Sequence, residues 1–188
     1  MSFLFKIQIQ EITPPVWRRL LVAENCTFNK FHNLIQAAFG WSNEHVYEFS
    51  PSGWDSSPTI GSQFEKYFGD GAEQDSSKVK LSDIFKNEKQ TFTYIYDFGD
   101  EWVHQITLEK ITDEKLENTA SCVDGDGACP PEDCGGALDY MDFLEIIRDP
   151  KHPQHKDMMS WVGLKKGQTW EQKHAFDLKT ANEMVQSV

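Results

Sequence analysis

Residues 92–111, which read FTYIYDFGDEWVHQITLEKI, decide the fold that we expect for this chain. Large apolar residues alternate with other residues on both sides of Gly99, and a glycine-containing turn between two alternating runs is typical of a β-hairpin. Residues 3–12 alternate in the same way, and Pro14 and Pro15 end the run because proline cannot donate to a strand ladder. The sequence therefore predicts antiparallel strands that each bury one face.

Helical periodicity fills much of the remaining chain. Apolar spacing predicts a helix between Thr27, a typical N-cap residue, and Gly40, a typical C′ residue. A second helix is expected to follow Gly136 and to stop at Asp149-Pro150. Its buried side holds either Leu138, Met141, Leu144 and Ile147, or Tyr140, Phe143 and Ile147. Antiparallel strand blocks with helices between them predict a single-domain α+β fold over all 188 residues, a mainly antiparallel sheet with helices packed on one face.

The segment 113–137 has no periodicity and is rich in Gly, so we expect a loop there, ahead of a helical C-terminal part over 138–188. The net charge of the chain is −12, and residues 113–150 carry 11 acidic against two basic residues. An acidic face argues against nucleic acid as a partner, because affinity for phosphate backbones comes from Lys and Arg. Such a face suits a solvated loop, a cation site or a dock for a basic partner. Only the last 38 residues, with six Lys against four acidic residues, could form a basic surface.

The chain shows no sequence feature of a membrane protein. No apolar run approaches the roughly 18 residues of a membrane-spanning helix. The N-terminus MSFLFK also lacks the basic region and apolar stretch of a secretory signal. We therefore expect a cytoplasmic protein with no membrane partner.

Four short motifs occur in order along the chain and together carry a family resemblance. They are Pro15-Val16-Trp17-Arg18-Arg19, Ala38-Phe39-Gly40-Trp41 followed by His45, Tyr96-Asp97-Phe98-Gly99-Asp100-Glu101-Trp102 with His104, and Pro130-Pro131-Glu132-Asp133-Cys134-Gly135-Gly136. With these motifs the chain resembles the plasmid pRiA4b ORF-3-like family over nearly its whole length. The resemblance implies an association with plasmids and mobile elements, and some members carry a transposon resolvase label.

The basic residues speak against a resolvase. A serine recombinase binds the scissile phosphate with several arginines, whereas this chain has only Arg18, Arg19 and Arg148. A basic helix-turn-helix tail, which would dock on the DNA backbone and major groove, is also missing. We therefore expect no recombinase activity, and the resemblance brings no catalytic residue with it.

Acidic, imidazole and indole side chains of three motifs form the main candidate site. If residues 130–136 fold over the hairpin turn after Asp97, these side chains gather in one cleft. The candidates are Trp41, His45, Asp97, Asp100, Glu101, Trp102, His104, Glu132 and Asp133. Such a cluster could hold a divalent cation or perform general acid–base chemistry. The alternative is structural: carboxylates that shape a turn or cap a helix, and histidines with local hydrogen bonds.

Three cysteines fall within the predicted loop. Cys122, Cys129 and Cys134 have the spacing C-x6-C-x4-C and could bind zinc with His104 or another His as the fourth ligand, although paired C-x2-C knuckles are absent. The alternative is free thiols in a reducing compartment.

Two functions are consistent with these residues. The first is a binding or interaction module whose aromatic, acid-rimmed cleft holds a protein or peptide partner. The second is a metal-assisted enzyme, such as a hydrolase, that uses the Asp, Glu and His residues with zinc or another divalent cation. We prefer the first, because the sequence contains no complete nucleophile or metal motif.

Overall fold

The structure is a computed structural model that describes residues 1–62, 71–114, 116 and 118–188. The strands are β1 (Ser2–Ile9), β2 (Trp17–Ala23), β3 (Tyr47–Ser50), β4 (Ile60–Gly61), β5 (Gln74–Asp75), β6 (Thr91–Tyr96), β7 (Trp102–Thr112) and β8 (Ala120–Asp126). The helices are α1 (Phe28–Phe39), α2 (Leu81–Ile84), α3 (Gly136–Arg148), α4 (His155–Trp161), α5 (Trp170–Lys173) and α6 (Leu178–Ser187).

One sheet holds all the described strands in the order β5-β4-β3-β6-β7-β1-β2-β8. The pairs are antiparallel except β4 with β5. The predicted hairpin is confirmed: β6 and β7 pair from Thr91 with Thr107 to Tyr96 with Trp102. In β1, Phe5, Ile7 and Ile9 are buried while the residues between them are partly exposed, as the alternation predicts. The α+β fold expected from the sequence is therefore the fold observed.

Helix α1 packs its aromatic residues on the buried face of the sheet. Thr27 caps the helix, since its side chain accepts a hydrogen bond from Lys30 N, and Gly40 ends it with a φ of 82°. The ring of Phe31 lies 4.9 Å from that of Phe5 in β1, and the ring of Phe28 lies 5.0 Å from that of Phe49 in β3. Aromatic pairs at these separations add to the free energy of burial. This layer fixes the position of the loop that follows α1.

Arg18, on the buried face of β2, joins three parts of the fold. The side chain is only 3% exposed. It donates hydrogen bonds of 2.8–3.2 Å to the carbonyl oxygens of Trp17, Ala38, Asp126 and Gly127. These bonds tie β2 to the end of α1 and to the end of β8.

The segment 113–137 is not a continuous loop, as we expected, because it contains β8. This strand pairs with β2 at the edge of the sheet, and Ala120 and Cys122 are its buried residues. An edge strand with one solvated face tolerates outward acidic residues such as Asp124, and these hide its alternation in the sequence. Positions 115 and 117 of the predicted loop lie outside the described residues.

The C-terminal part is helical, as predicted, with one correction to its buried face. Helix α3 ends at Arg148 before Asp149-Pro150. It buries Tyr140, Phe143, Leu144 and Ile147, so the second of the two predicted sets is the right one. Leu138 points to solvent with 77% exposure. Among the described helices, none is long and apolar enough to cross a bilayer.

Candidate functional site

Asp97 organises the turn between β6 and β7. Its backbone has a φ of 56°, and its carboxylate Oδ1 accepts hydrogen bonds from Gly99 N at 3.0 Å and Asp100 N at 3.4 Å. The backbone N–H of Glu101 donates to the carbonyl of Asp97 at 2.7 Å. Aspartate is favoured in such turns because its side chain replaces a backbone acceptor. One carboxylate oxygen of Asp97 is therefore engaged in the turn, and Oδ2 remains for another group.

The twin-glycine segment lies against this turn. Gly135 N donates to Asp100 Oδ2 at 2.9 Å. A Cβ atom on Gly136 would lie 2.2 Å from the carbonyl oxygen of Asp100, and the φ of Gly136 is 82°. Only glycine fits such an approach at a positive φ without strain. The structure thus brings segment 130–136 onto the hairpin turn.

Glu132 is held from the other side by the loop after α1. Its Oε1 accepts hydrogen bonds from Ser42 N at 2.7 Å and Ser42 Oγ at 3.1 Å, and the Tyr96 hydroxyl donates to it at 3.4 Å. Burial and the Glu132 carboxylate raise the pKa of Tyr96, so that its hydroxyl stays protonated. Trp41 Nε1 donates to the Pro130 carbonyl at 3.0 Å. The loop after α1, the end of β6 and the segment 130–136 are therefore fixed to one another.

His45 lies at the point where these three segments meet. Its Nδ1 is 3.5 Å from Asp97 Oδ2, and its Nε2 is 3.1 Å from Asp133 Oδ1 and 4.0 Å from Glu132 Oε2. We call His45, Asp97, Glu132 and Asp133 the His45 cluster. One ligand atom each from His45, Asp97 and Asp133 lies within 4.8 Å of the others. The arrangement surrounds one imidazole with three carboxylates.

The His45 cluster reaches solvent on its Asp133 side, whereas Asp97 is buried. The side chain of Asp133 is 70% exposed and that of His45 is 29% exposed. Among the ion pairs of the described residues, the three carboxylates pair with His45 and with no Lys or Arg. Carboxylates at this spacing repel one another when ionised. The cluster can therefore accept a cation.

Three predicted site residues belong to the core instead. Trp41, Trp102 and His104 are at most 7% exposed. His104 Nδ1 lies 2.8 Å from the carbonyl oxygen of Trp102, and burial lowers the pKa of His104 to about 4. A neutral, enclosed imidazole takes no part in the cluster. Glu101 is exposed at the turn.

The cysteine–histidine set expected from spacing is not assembled. Among the described residues, the group of three or more metal-type ligands that come together is His45 with Asp97 and Asp133. Cys122, Cys129 and Cys134 are free thiols, and burial raises the pKa of all three, that of Cys134 to about 12. Cys122 faces the core from β8, whereas the sequence had predicted that it lies in a loop.

Sequence reasoning missed two residues that position the His45 cluster. Tyr96 and Ser42 hold Glu132, but the first is in a strand whose alternation suggests only core packing, and the second follows a helix end. The neighbouring motif residues Trp41 and His45 are the signal that could have directed attention to Ser42.

Three comparisons relate the chain to known proteins. Residues 1–184 match the protein family described as "Plasmid pRiA4b ORF-3-like protein". The chain is 33% identical over 159 residues to "Uncharacterized protein y4hQ" of Sinorhizobium fredii (strain NBRC 101917 / NGR234), an alignment that covers 84% of this chain and 79% of the relative. It is also similar to the crystal structure of a "Protein of Unknown Function MM3350 from Methanosarcina mazei Go1", with a TM-score of 0.77, 33% identity, and coverage of 95% and 96% of the two chains.

Proposed function

We propose, for a chain that belongs to the plasmid pRiA4b ORF-3-like family, that it is a binding module whose His45 cluster takes a divalent cation. The observation that carries the proposal is the convergence of the carboxylates of Asp97, Glu132 and Asp133 on the two ring nitrogens of His45, at distances of 3.1–4.0 Å. These residues come from three segments that are far apart in the chain, and separate hydrogen bonds hold each segment in place.

The charge balance favours a cation over a neutral ligand. Three carboxylates face one imidazole, and no Lys or Arg of the described residues pairs with them. A divalent ion would relieve the repulsion between the carboxylates. Mixed nitrogen and oxygen donors suit Zn²⁺, Fe²⁺ or Mn²⁺ better than Ca²⁺, which prefers oxygen ligands alone.

The two ring nitrogens of His45 take different roles in this proposal. Nε2 faces Asp133 and Glu132, and these three groups are the ligands. Nδ1 faces Asp97 Oδ2 at 3.5 Å, on the side away from the ligands. Metal-binding histidines commonly donate the second ring N–H to a carboxylate, which fixes the tautomer and the ring orientation. Asp97, whose other oxygen is held by the turn, suits that positioning role.

A second function is favoured by the exposure of Asp133. A cation held by three protein groups at the surface keeps open positions, which is typical of catalytic metal sites. A water molecule on such an ion becomes a nucleophile near neutral pH. The metal-assisted hydrolase expected as an alternative from the sequence would use the same residues, so catalysis depends on the binding function.

Calorimetric titration of chelator-treated protein with Zn²⁺, Mn²⁺ and Mg²⁺ tests the cation site. We expect one ion per chain, with the strongest binding for Zn²⁺ or Mn²⁺. His45→Gln and Asp133→Asn should abolish this binding, and Asp97→Asn should weaken it roughly 10–100-fold, as for other groups that orient a metal-binding histidine. Asp142→Asn, which removes a carboxylate on the exposed side of α3, is the matched control and should bind normally.

Absence of binding by the wild-type protein, or equal binding by wild-type and His45→Gln protein, would refute the proposal. The hydrolase is tested on the same samples with chromogenic phosphate and carboxylate esters. Turnover that requires the ion and disappears in Asp133→Asn would support an enzyme, and ion binding without turnover would leave a binding module.

A further inference from the structure

A second site is suggested by a groove at the other end of α3. Its walls come from α3, α4 and the segment 164–169 that leads to α5, and its volume is about 900 Å³. Ile147, Met159 and Leu164 contribute apolar surface to it and are 6–8% exposed. Binding pockets in proteins have volumes of about 300–1,000 Å³. The groove is therefore large enough for two or three apolar side chains of a partner.

The charge of this groove is opposite to that of the chain as a whole. Arg148, Lys156 and Lys166 line it together with His155, and the lining contains no carboxylate. The chain has a net charge of −12. Within the part of the chain that the structure describes, neither Lys156 nor Lys166 forms an ion pair, whereas Arg148 pairs with Glu171. Two positive charges at the groove are thus available to a ligand.

The groove is separate from the His45 cluster. Asp133 precedes the first turn of α3, whereas Ile147 and Arg148 are in its last turn. A helix of 13 residues is about 20 Å long. Binding at the groove therefore does not require the carboxylates of the cluster, and the two sites can be tested independently.

We propose that this groove binds an acidic, amphipathic segment of a partner protein. Apolar side chains of the segment enter the groove, and its Asp or Glu residues contact Lys156 and Lys166. Amphipathic helices bind apolar grooves in this way, with anchor residues at i, i+3 and i+4. Charge complementarity carries the choice of an acidic partner, because opposite charges around an apolar centre speed encounter and select the partner.

The chemistry of the partner also follows from the shape of the groove. Ile147, Met159 and Leu164 are 6–8% exposed whereas Lys156 and Lys166 are exposed, so the ligand must present a protruding apolar group flanked by negative charges. An acidic helix has this form. A bilayer presents negative charge on a plane with the apolar part beneath, and it fits the recess less well.

Selection from a random 12-residue phage-display library on the full-length protein tests the proposal. We expect enrichment of peptides that combine aromatic or aliphatic residues with Asp or Glu. Fluorescein-labelled selected peptides should bind Lys156→Glu/Lys166→Glu protein at least tenfold more weakly than wild-type protein. The matched control is Lys110→Glu/Lys179→Glu, which makes the same change in net charge outside the groove and should alter Kd less than twofold.

Other outcomes would overturn the proposal. These are enriched peptides without acidic residues, or selected peptides that bind the groove variant and wild-type protein equally. Self-association that is lost in the groove variant would assign the groove to a second copy of this chain. Sedimentation with phosphatidylserine-containing vesicles that depends on the same two lysines would assign it to a membrane surface. Because both lysines are exposed, we expect the variants to fold, and their melting temperatures verify this.

Discussion

Arg18 and the His45 cluster show two opposite ways of placing charge in one molecule. Arg18 is 3% exposed, its hydrogen bonds go to backbone carbonyl oxygens, and its guanidinium lies 5.0 Å from the ring of Phe39 and 4.5 Å from that of Phe176. The His45 cluster gathers three carboxylates, from the buried Asp97 to the exposed Asp133, and among the described residues their ion pairs involve only the imidazole. The comparison teaches that buried charge is fully used by the fold, whereas surplus charge at the surface is available to a ligand.

The buried charge of Arg18 needs more compensating contacts than the charges of the His45 cluster. Burial lowers the pKa of Arg18, but arginine stays protonated in proteins, so the charge is retained in the core. Hydrogen bonds and the faces of two aromatic rings replace its water shell. The positions of β2, β8 and the end of α1 therefore all depend on one side chain.

Replacement of Arg18 should have the largest effect on stability. Arg18→Met leaves several buried carbonyl oxygens without donors, and we expect a loss of about 3–5 kcal/mol of unfolding free energy. Arg19→Met is the matched control, because Arg19 is the next residue, is 31% exposed, and pairs with Glu109 and Asp124 at the surface. It should cost no more than about 1 kcal/mol. Urea unfolding of both variants measures the difference, and equal losses would contradict the comparison.

The effect of burial on charge also applies to two histidines, whose protonation depends on pH. Burial lowers the pKa of both His32 and His104 to about 4, against an ordinary value of 6.5. Below pH 6.5 these histidines become protonated in the unfolded chain, whereas the buried imidazoles of the folded protein stay neutral. Stability is therefore complete above pH 6.5 and is lost as the pH falls from 6.5 toward 4. At pH 5.5 the two histidines together should cost about 2.5 kcal/mol relative to neutral pH.

Chemical unfolding at a series of pH values measures this loss. His104→Gln lowers stability at neutral pH but should remove about half of the dependence on pH between 6.5 and 5.5. Nuclear magnetic resonance of the imidazole rings gives a direct check. Midpoints near 6.5 for His32 and His104 in the folded protein would show that burial does not keep them neutral.

Gly136 links the stability of the fold to the geometry of the His45 cluster. Gly136→Ala places a Cβ atom 2.2 Å from the Asp100 carbonyl, at a φ of 82°. We expect a loss of about 2 kcal/mol from clash and backbone strain, together with weaker cation binding because Asp133 moves. Gly40→Ala is the control, since Gly40 has the same φ and no atom within 4 Å of the added Cβ. Thermal unfolding and cation titration of both variants separate the clash from the strain, and equal effects would exclude a role for the close approach.

Local patterns predicted most of the fold, because the decisive signals lie within short stretches. The β6–β7 hairpin, the Thr27 cap and the Gly40 end of α1 each depend on neighbouring residues. Strand β8 escaped prediction because it is defined by pairing with β2, which is about 100 residues earlier in the chain. Its outward acidic residues also conceal the alternation.

The sequence predicted that residues 130–136 meet the hairpin turn, as the structure shows, but not which candidate residues are exposed and which are in the core. His45 and His104 have the same chemistry, and only their burial separates a surface imidazole from a core one. His104 alternates in phase with the buried Trp102 and Ile106, and this strand pattern is the signal that could have placed it on the core face. The short distance between Asp133 and His45 depends on the close contact of Gly136 with the Asp100 carbonyl and on the hydrogen bond from Ser42 to Glu132. Neither contact can be recognised from the spacing of residues in the sequence.

Two adjacent acidic residues give the smallest and most discriminating test. Glu132 accepts hydrogen bonds from Ser42 and Tyr96, whereas the exposed Asp133 pairs only with His45 among the described ion pairs. Glu132→Ala should therefore lower the unfolding free energy by about 1–2 kcal/mol, and Asp133→Ala by less than about 0.5 kcal/mol. Cation binding should be lost in both variants, because both carboxylates are ligands, but only Asp133→Ala should lose it at almost unchanged stability. If Asp133→Ala instead destabilised the fold and left cation binding intact, the exposed carboxylate would be structural, and the contrast with the buried Arg18 would disappear.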